Sequence, residues 1–212
     1  MEGHDAGPLP GKTQGPDPGV PGGRPSLGAI RRAEGATLHR MSDAPRRRAV
    51  LEVWCELQCP DCRTALDDIR ALRERYGDAL TIDLRHFPLE KHRMATPAAQ
   101  AAEEALAQGQ GWPYVEAVLS RAEELGERGE KVLLEVAEEL GLDAAEVDTA
   151  LIDGRHFLIV DADLAEGKAI GVTGTPTYVI DGVRLDGGRS QEGLRERVER
   201  IVDRLLAGGD GG

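Results

Sequence analysis

The chain has 212 residues and is 40% hydrophobic, enough to build a packed core without disulfide staples. Its formal net charge is −12, and residues 1–48 carry eight Lys/Arg against five Asp/Glu, so the acidity is concentrated after them. An acidic folded part argues against nucleic acid as a partner, and no apolar run approaches the ~20 residues of a membrane span.

Residues 1–48 are rich in Gly and Pro, contain no Phe, Trp or Tyr and show no periodicity. Such a segment cannot offset its ordering entropy by burial, so a disordered extension is expected there. Met41 offers a second start. No stretch before residue 49 has the ~7–15 apolar residues of a secretory leader. The expected compartment is therefore the cytoplasm, where cysteines are more often catalytic or metal-binding than structural.

Ala49 to Trp54 is short and apolar, as a buried strand is. Thr64 to Tyr76 repeats its apolar residues at helical spacing, and Gly77 stops it. Leu80 to Phe87 alternates apolar and polar residues, predicting a second strand that ends at Pro88. Strand, helix and strand at these lengths form a βαβ unit with parallel strands. Helices are then expected over Pro97–Gln108, Tyr114–Leu125, Lys131–Leu140, Asp143–Ile152 (with Asp143 as N-cap) and Arg155–Ile170. Strand chemistry returns at Thr177–Ile180, followed by an Asp181-Gly182 hairpin turn and Val183–Leu185. Ser190 can cap a last helix, and residues 207–212 read as a frayed tail. The pattern predicts one α/β domain over residues 49–206, with a helical insertion at about 95–170.

The cysteines Cys55, Cys59 and Cys62 all fall where the first strand gives way to the first helix. A disulfide needs Cα atoms about 4.4–6.8 Å apart, which residues three apart on a first helical turn satisfy. A helix N-terminus favours thiolate over thiol. Cys59 is expected exposed at the mouth as the nucleophile, with Cys62 buried as the resolving thiol. Pro60 suits the first helical position, where its missing N–H costs nothing. Asp61 brings a carboxylate that should raise the Cys59 pKa against the helix dipole. Far along the chain, Gly174-Thr175-Pro176-Thr177 puts a proline at the first residue of a strand, where it is tolerated. A cis peptide there would turn the Thr175 backbone toward the cysteines, available to a substrate peptide.

Cys59-Pro60-Asp61-Cys62 after a strand, the turn Phe87-Pro88-Leu89, the helical insertion, and Gly171-Val172-Thr173-Gly174-Thr175-Pro176 together resemble the DsbA-like branch of the thioredoxin superfamily. The resemblance implies a thioredoxin-like fold with an inserted α-helical domain, and thiol–disulfide oxidoreductase activity. It assigns Cys59 as nucleophile, Cys62 as resolving thiol, and Thr175-Pro176 as the cis-proline substrate loop. No metal or organic cofactor is implied. The partners would be a disulfide-containing protein or a low-molecular-weight thiol, and a separate electron donor or acceptor. Asp61 stands where strongly oxidising, exported members often carry His, which points to a reductase or isomerase. Two other readings remain: a glutathione-transferase-like or isomerase-like enzyme on the same fold, and a binding module whose cysteines hold zinc or are inert. Cys55 reads as a small buried hydrophobe, or else as a third thiol that pairs with Cys59 or joins a zinc site. His86 and His92 are expected as ordinary histidines, although either could approach Cys59.

Overall fold

The structure is a computed structural model that describes residues 48–187 and 193–208. The expected extension over residues 1–47, the alternative start at Met41, the Ser190 cap and the tail from 209 onward lie outside the described residues.

Four strands form one mixed sheet: β1 (Ala49–Cys55), β2 (Leu80–His86), β3 (Thr177–Ile180) and β4 (Val183–Asp186). They lie in the order β2-β1-β3-β4, with β1 parallel to β2 and antiparallel to β3, and β3 antiparallel to β4. The parallel pair needs a crossover, and α1 (Pro60–Tyr76) supplies it. The antiparallel β3/β4 pair needs only the turn at Asp181-Gly182, where both residues adopt positive φ (50° and 71°). β1 is internal to the sheet and buried along its whole α1 face; on the other face Val50 is exposed, Glu52 half-buried and Trp54 buried. Period-two alternation sends Leu51, Val53 and Cys55 into the main core with α1, and Trp54 into a smaller cluster with Phe87 and Val172 on the opposite face.

Between β2 and β3 lies an all-helical insertion: α2 (Ala95–Ala107), α3 (Gly111–Ser120), α4 (Ala122–Arg128), α5 (Glu130–Glu139), α6 (Ala144–Asp153) and α7 (Phe157–Ala169). The chain closes with α8 (Leu194–Ala207), which packs on α1 and β1. Asp143 caps α6 as expected, its carboxylate accepting the Glu146 N–H at 3.0 Å. Six inserted helices replace the four or five anticipated, because the stretch 114–125 is not one helix. At Arg121 (φ −111°, ψ 24°) the chain steps out of helical geometry, and its N–H bonds Val118 O at 3.0 Å in a tightened turn. Leu119, Ala122 and Leu125 are buried on both sides of the break. Gly126, the residue just past the expected helix end at Leu125, lies inside α4.

The sheet face opposite α1 is covered by α7, whose close approach depends on Gly167. A Cβ there would stand 2.8 Å from Phe87 Cδ2 and 2.8 Å from Trp54 Cζ3, both of them rings packed in a buried cluster. Removing a helix glycine gains only about 0.5–1 kcal/mol of backbone entropy, whereas overpacking a tight core costs about 1–3 kcal/mol. Gly167→Ala should therefore lower stability in urea unfolding; a variant as stable as the parent would show that α7 does not press on Trp54 as described.

Candidate active site

The turn between β1 and α1 is held by its own backbone. The Cys59 N–H bonds Glu56 O at 3.1 Å, and Cys59 serves as N-cap with extended geometry (φ −80°, ψ 123°). Pro60 takes the first helical position and is exposed; Asp61 follows it and is half-buried. Cys62, one turn in, is fully buried. Its sulfur accepts a hydrogen bond from the Glu56 N–H at 3.5 Å.

The second part of the site comes from the far end of the chain. The Thr175–Pro176 peptide is cis. The Cys59 thiol donates to the Thr175 carbonyl at 3.5 Å, across 116 positions of sequence. Beneath this loop, the Gly187 N–H donates to Pro176 O at 2.9 Å, and a Cβ on Gly187 would come within 2.6 Å of that oxygen. Thr177 Oγ1 donates to Gly174 O at 2.8 Å and ties the loop to the start of β3. The Thr175 hydroxyl is buried and has no partner among the described residues.

These two segments and the loop after β2 enclose an open cleft of about 630 Å³, lined by Cys59, Asp61, Leu89, Lys91, Thr175 and Pro176 among others. Glu90 and Asp186 also stand on its wall, so three carboxylates face one lysine there. Sequence reasoning passed over this wall, since nothing in Leu89-Glu90-Lys91 marks it before the fold is known.

One expectation needs correction. Cys59 is not exposed at the mouth; it is 3% accessible, because the cis-proline loop lies against its sulfur. Its environment also disfavours the thiolate. Contact with the Cys62 thiol and burial both push the Cys59 pKa above its ordinary value, and burial pushes Cys62 up as well.

Glu56, which sequence reasoning did not single out, organises the turn. It is 2% exposed, and its carboxylate accepts the Gln58 N–H and meets the His92 ring. Gln58 in turn accepts the Met94 N–H at 2.9 Å, and Gly126 of α4 leaves room for its amide 3.0 Å from where a Cβ would be. The cysteine turn is thus pinned to the helical insertion. His92 reaches the site through Glu56, while His86 is buried against Glu103 at 2.9 Å. Of the two rings flanking Pro113, Tyr114 is fully buried in the core, and Trp112 donates to Ile82 O at 3.3 Å beneath the Arg73 guanidinium. Among the described residues, no group of three or more His, Cys, Asp or Glu is arranged to hold a metal ion.

Residues 50–199 match a family described as "DSBA-like thioredoxin domain". A Wolbachia pipientis structure, alpha-DsbA1, superposes with a TM-score of 0.66 at 15% identity, covering 77% of this chain and 90% of that one. BdbD from Bacillus subtilis, in its oxidised form, gives 0.63 at 14% identity over 73% and 88%. Among curated relatives, the Na(+)/H(+) antiporter NhaA of Herminiimonas arsenicoxydans is 36% identical over 138 residues. That match takes in 63% of this chain, which spans only 21% of the relative's length.

Burial raises the Glu56 pKa, although His92 and Gln58 oppose it. A carboxyl with a raised folded pKa stabilises most below its unfolded value, about 4.3, and that contribution is lost as pH rises through the folded pKa. Glu56→Gln keeps the shape without the titration. The stability of wild type relative to this variant should fall between pH 4 and pH 7, measured by urea unfolding of both proteins. A difference that does not change with pH would argue against a costly buried carboxylate.

Proposed function

The chain belongs to the DSBA-like thioredoxin domain family, and from that premise we propose that it is a thiol–disulfide oxidoreductase working through Cys59 and Cys62. The observation that carries the reading is the meeting of the Cys59 sulfur with the Thr175 carbonyl on the floor of a cleft, with Cys62 directly behind. In the reducing direction, Cys59 gives up its proton and its sulfur attacks one sulfur of a substrate disulfide. The other substrate sulfur leaves as thiolate. Cys62 then attacks Cys59 in the mixed disulfide, the substrate departs reduced, and a Cys59–Cys62 disulfide remains. A separate electron donor must reopen it.

The cis-proline loop supports the binding half of this mechanism. Its backbone lies beside the nucleophile on the wall of the cleft, where an extended substrate segment can reach it. Wall carboxylates at Asp61, Glu90 and Asp186 favour substrates without acidic residues beside the cysteine.

The electrostatics favour reduction or isomerisation over strong oxidation. A strong oxidant of this kind works because its reduced form is stabilised. Here contact with Cys62 and burial raise Cys59, and burial and contact with Cys55 raise Cys62, so the reduced form gains no such stabilisation. Burial and the Cys62 contact, rather than Asp61, are the causes that support this direction. The antiporter name belongs to relatives of which this chain covers about a fifth. Among the described residues no helix is long and apolar enough to cross a membrane, and ion transport is not proposed here.

Cys59→Ser should abolish reduction of an insulin-type disulfide, with a fall of at least about 100-fold, while Cys62→Ser should accumulate the mixed disulfide on Cys59. The Cys59–Cys62 couple, poised against a glutathione buffer, should lie nearer the roughly −270 mV of thioredoxin than the roughly −120 mV of a strong oxidant. Full activity in the Cys59 variant would end the proposal; a strongly positive potential would reverse its direction.

A further inference from the structure

Cys55 is not an isolated thiol. Alternation along β1 turns it toward α1, onto the same face as Leu51 and Val53, and it is 2% exposed. Cys62 comes down from the first turn of α1 into the same core. Both thiols meet the backbone of one residue: the Cys55 thiol lies 3.9 Å from Glu56 O, and the Glu56 N–H lies 3.5 Å from the Cys62 sulfur. The Cys62 thiol interacts with both Cys55 and Cys59, and all three lie in one buried cluster. A separate feature faces the same spot. Tyr178 pairs with Val53 across the β1/β3 ladder and is 1% exposed. Its buried hydroxyl has no partner among the described residues, and Cys55 and Cys62 are among the groups that oppose its ionisation. A buried donor without an acceptor is costly.

We propose that Cys55 is a third redox thiol, which exchanges the Cys59–Cys62 disulfide for a Cys55–Cys62 disulfide and sets Cys59 free within the oxidised protein. This rests on the oxidoreductase reading of Cys59 and Cys62. In the exchange, Cys55 loses its proton and its sulfur attacks the Cys62 sulfur. The Cys55–Cys62 bond forms, the Cys59–Cys62 bond breaks, and Cys59 leaves as a thiolate that takes up the proton. No electrons enter or leave.

The consequence is a further activity. With Cys62 engaged by Cys55, the free Cys59 still attacks a substrate disulfide, but Cys62 no longer resolves the adduct. A thiol of the substrate itself attacks instead, releasing Cys59 and leaving the substrate with a different disulfide. The protein ends as it began, so its oxidised form isomerises disulfides without an external reductant.

The test oxidises the full chain in a glutathione buffer, quenches with acid, alkylates the remaining thiols in denaturant and locates the label by fragmentation mass spectrometry. Label shared between Cys55 and Cys59 is expected, since each oxidised isomer leaves one of them free. Label on Cys55 alone overturns the proposal and leaves the Cys59–Cys62 couple intact. Label on Cys62 overturns it too. Three labelled thiols, in a buffer that oxidises thioredoxin, overturn the proposal together with the oxidoreductase reading. As a functional readout, Cys55→Ser should lose, several-fold or more, the ability of the pre-oxidised protein to rearrange a scrambled substrate in the absence of added reductant; an undiminished rate overturns the proposal.

Discussion

The contact between the Cys59 thiol and the Thr175 carbonyl is the constraint around which the rest of the molecule is arranged. It joins residues that lie far apart in sequence, so it exists only if three registers hold together. β1 must pair with β3 so that Trp54 meets Thr177. The Thr175–Pro176 loop must enter β3 from the correct side, which Gly187 permits by presenting an N–H and no side chain to Pro176 O. And α1 must start at Pro60, one residue after the cysteine it presents. A one-residue slip of β3 would reverse its faces and carry the loop away from the sulfur.

The helical insertion acts on this contact at a distance. It is anchored to the cysteine turn by Gln58, which takes the Met94 N–H and lies against Gly126, and by the pairing of Glu56 with His92. The cleft wall at Leu89, Glu90 and Lys91 lies just before these anchors in sequence. A rearrangement of the insertion would therefore be felt both in the width of the cleft and in the turn that positions Cys59. Removing either partner of a buried polar pair of this kind strands the other.

Much of this was legible in the sequence, where a local rule and the tertiary fold agree. Asp143 caps α6 because a short carboxylate suits that position wherever a helix starts; Asp181-Gly182 turns because both residues tolerate positive φ. The expected βαβ unit, inserted helices and closing hairpin all appear in the fold for similar reasons. What was not legible depends on neighbours distant in sequence. Glu56 looks like an ordinary charged residue between two cysteines, and only the fold reveals it as buried with His92. Gly126 stands just past the expected helix end, yet its missing side chain serves Gln58, 68 positions away in the chain. The break at Arg121 is invisible to helical periodicity, which Leu119, Ala122 and Leu125 satisfy on either side of it.

The burial of Cys59 was misjudged for an instructive reason. From sequence, the nearest electrostatic influences are the helix N-terminus and Asp61, which act in opposite senses on a thiolate. A helix end contributes about half a charge, worth roughly 0.3–1 kcal/mol near the surface. Desolvating an ionised group costs several kcal/mol even after relaxation. Once Cys59 is covered by Thr175-Pro176 and backed by Cys62, the second effect dominates the first. The strongest influence on the Cys59 thiol is then its contact with Cys62, followed by burial, while its hydrogen bond to the Thr175 carbonyl, 116 positions away, works in the opposite sense.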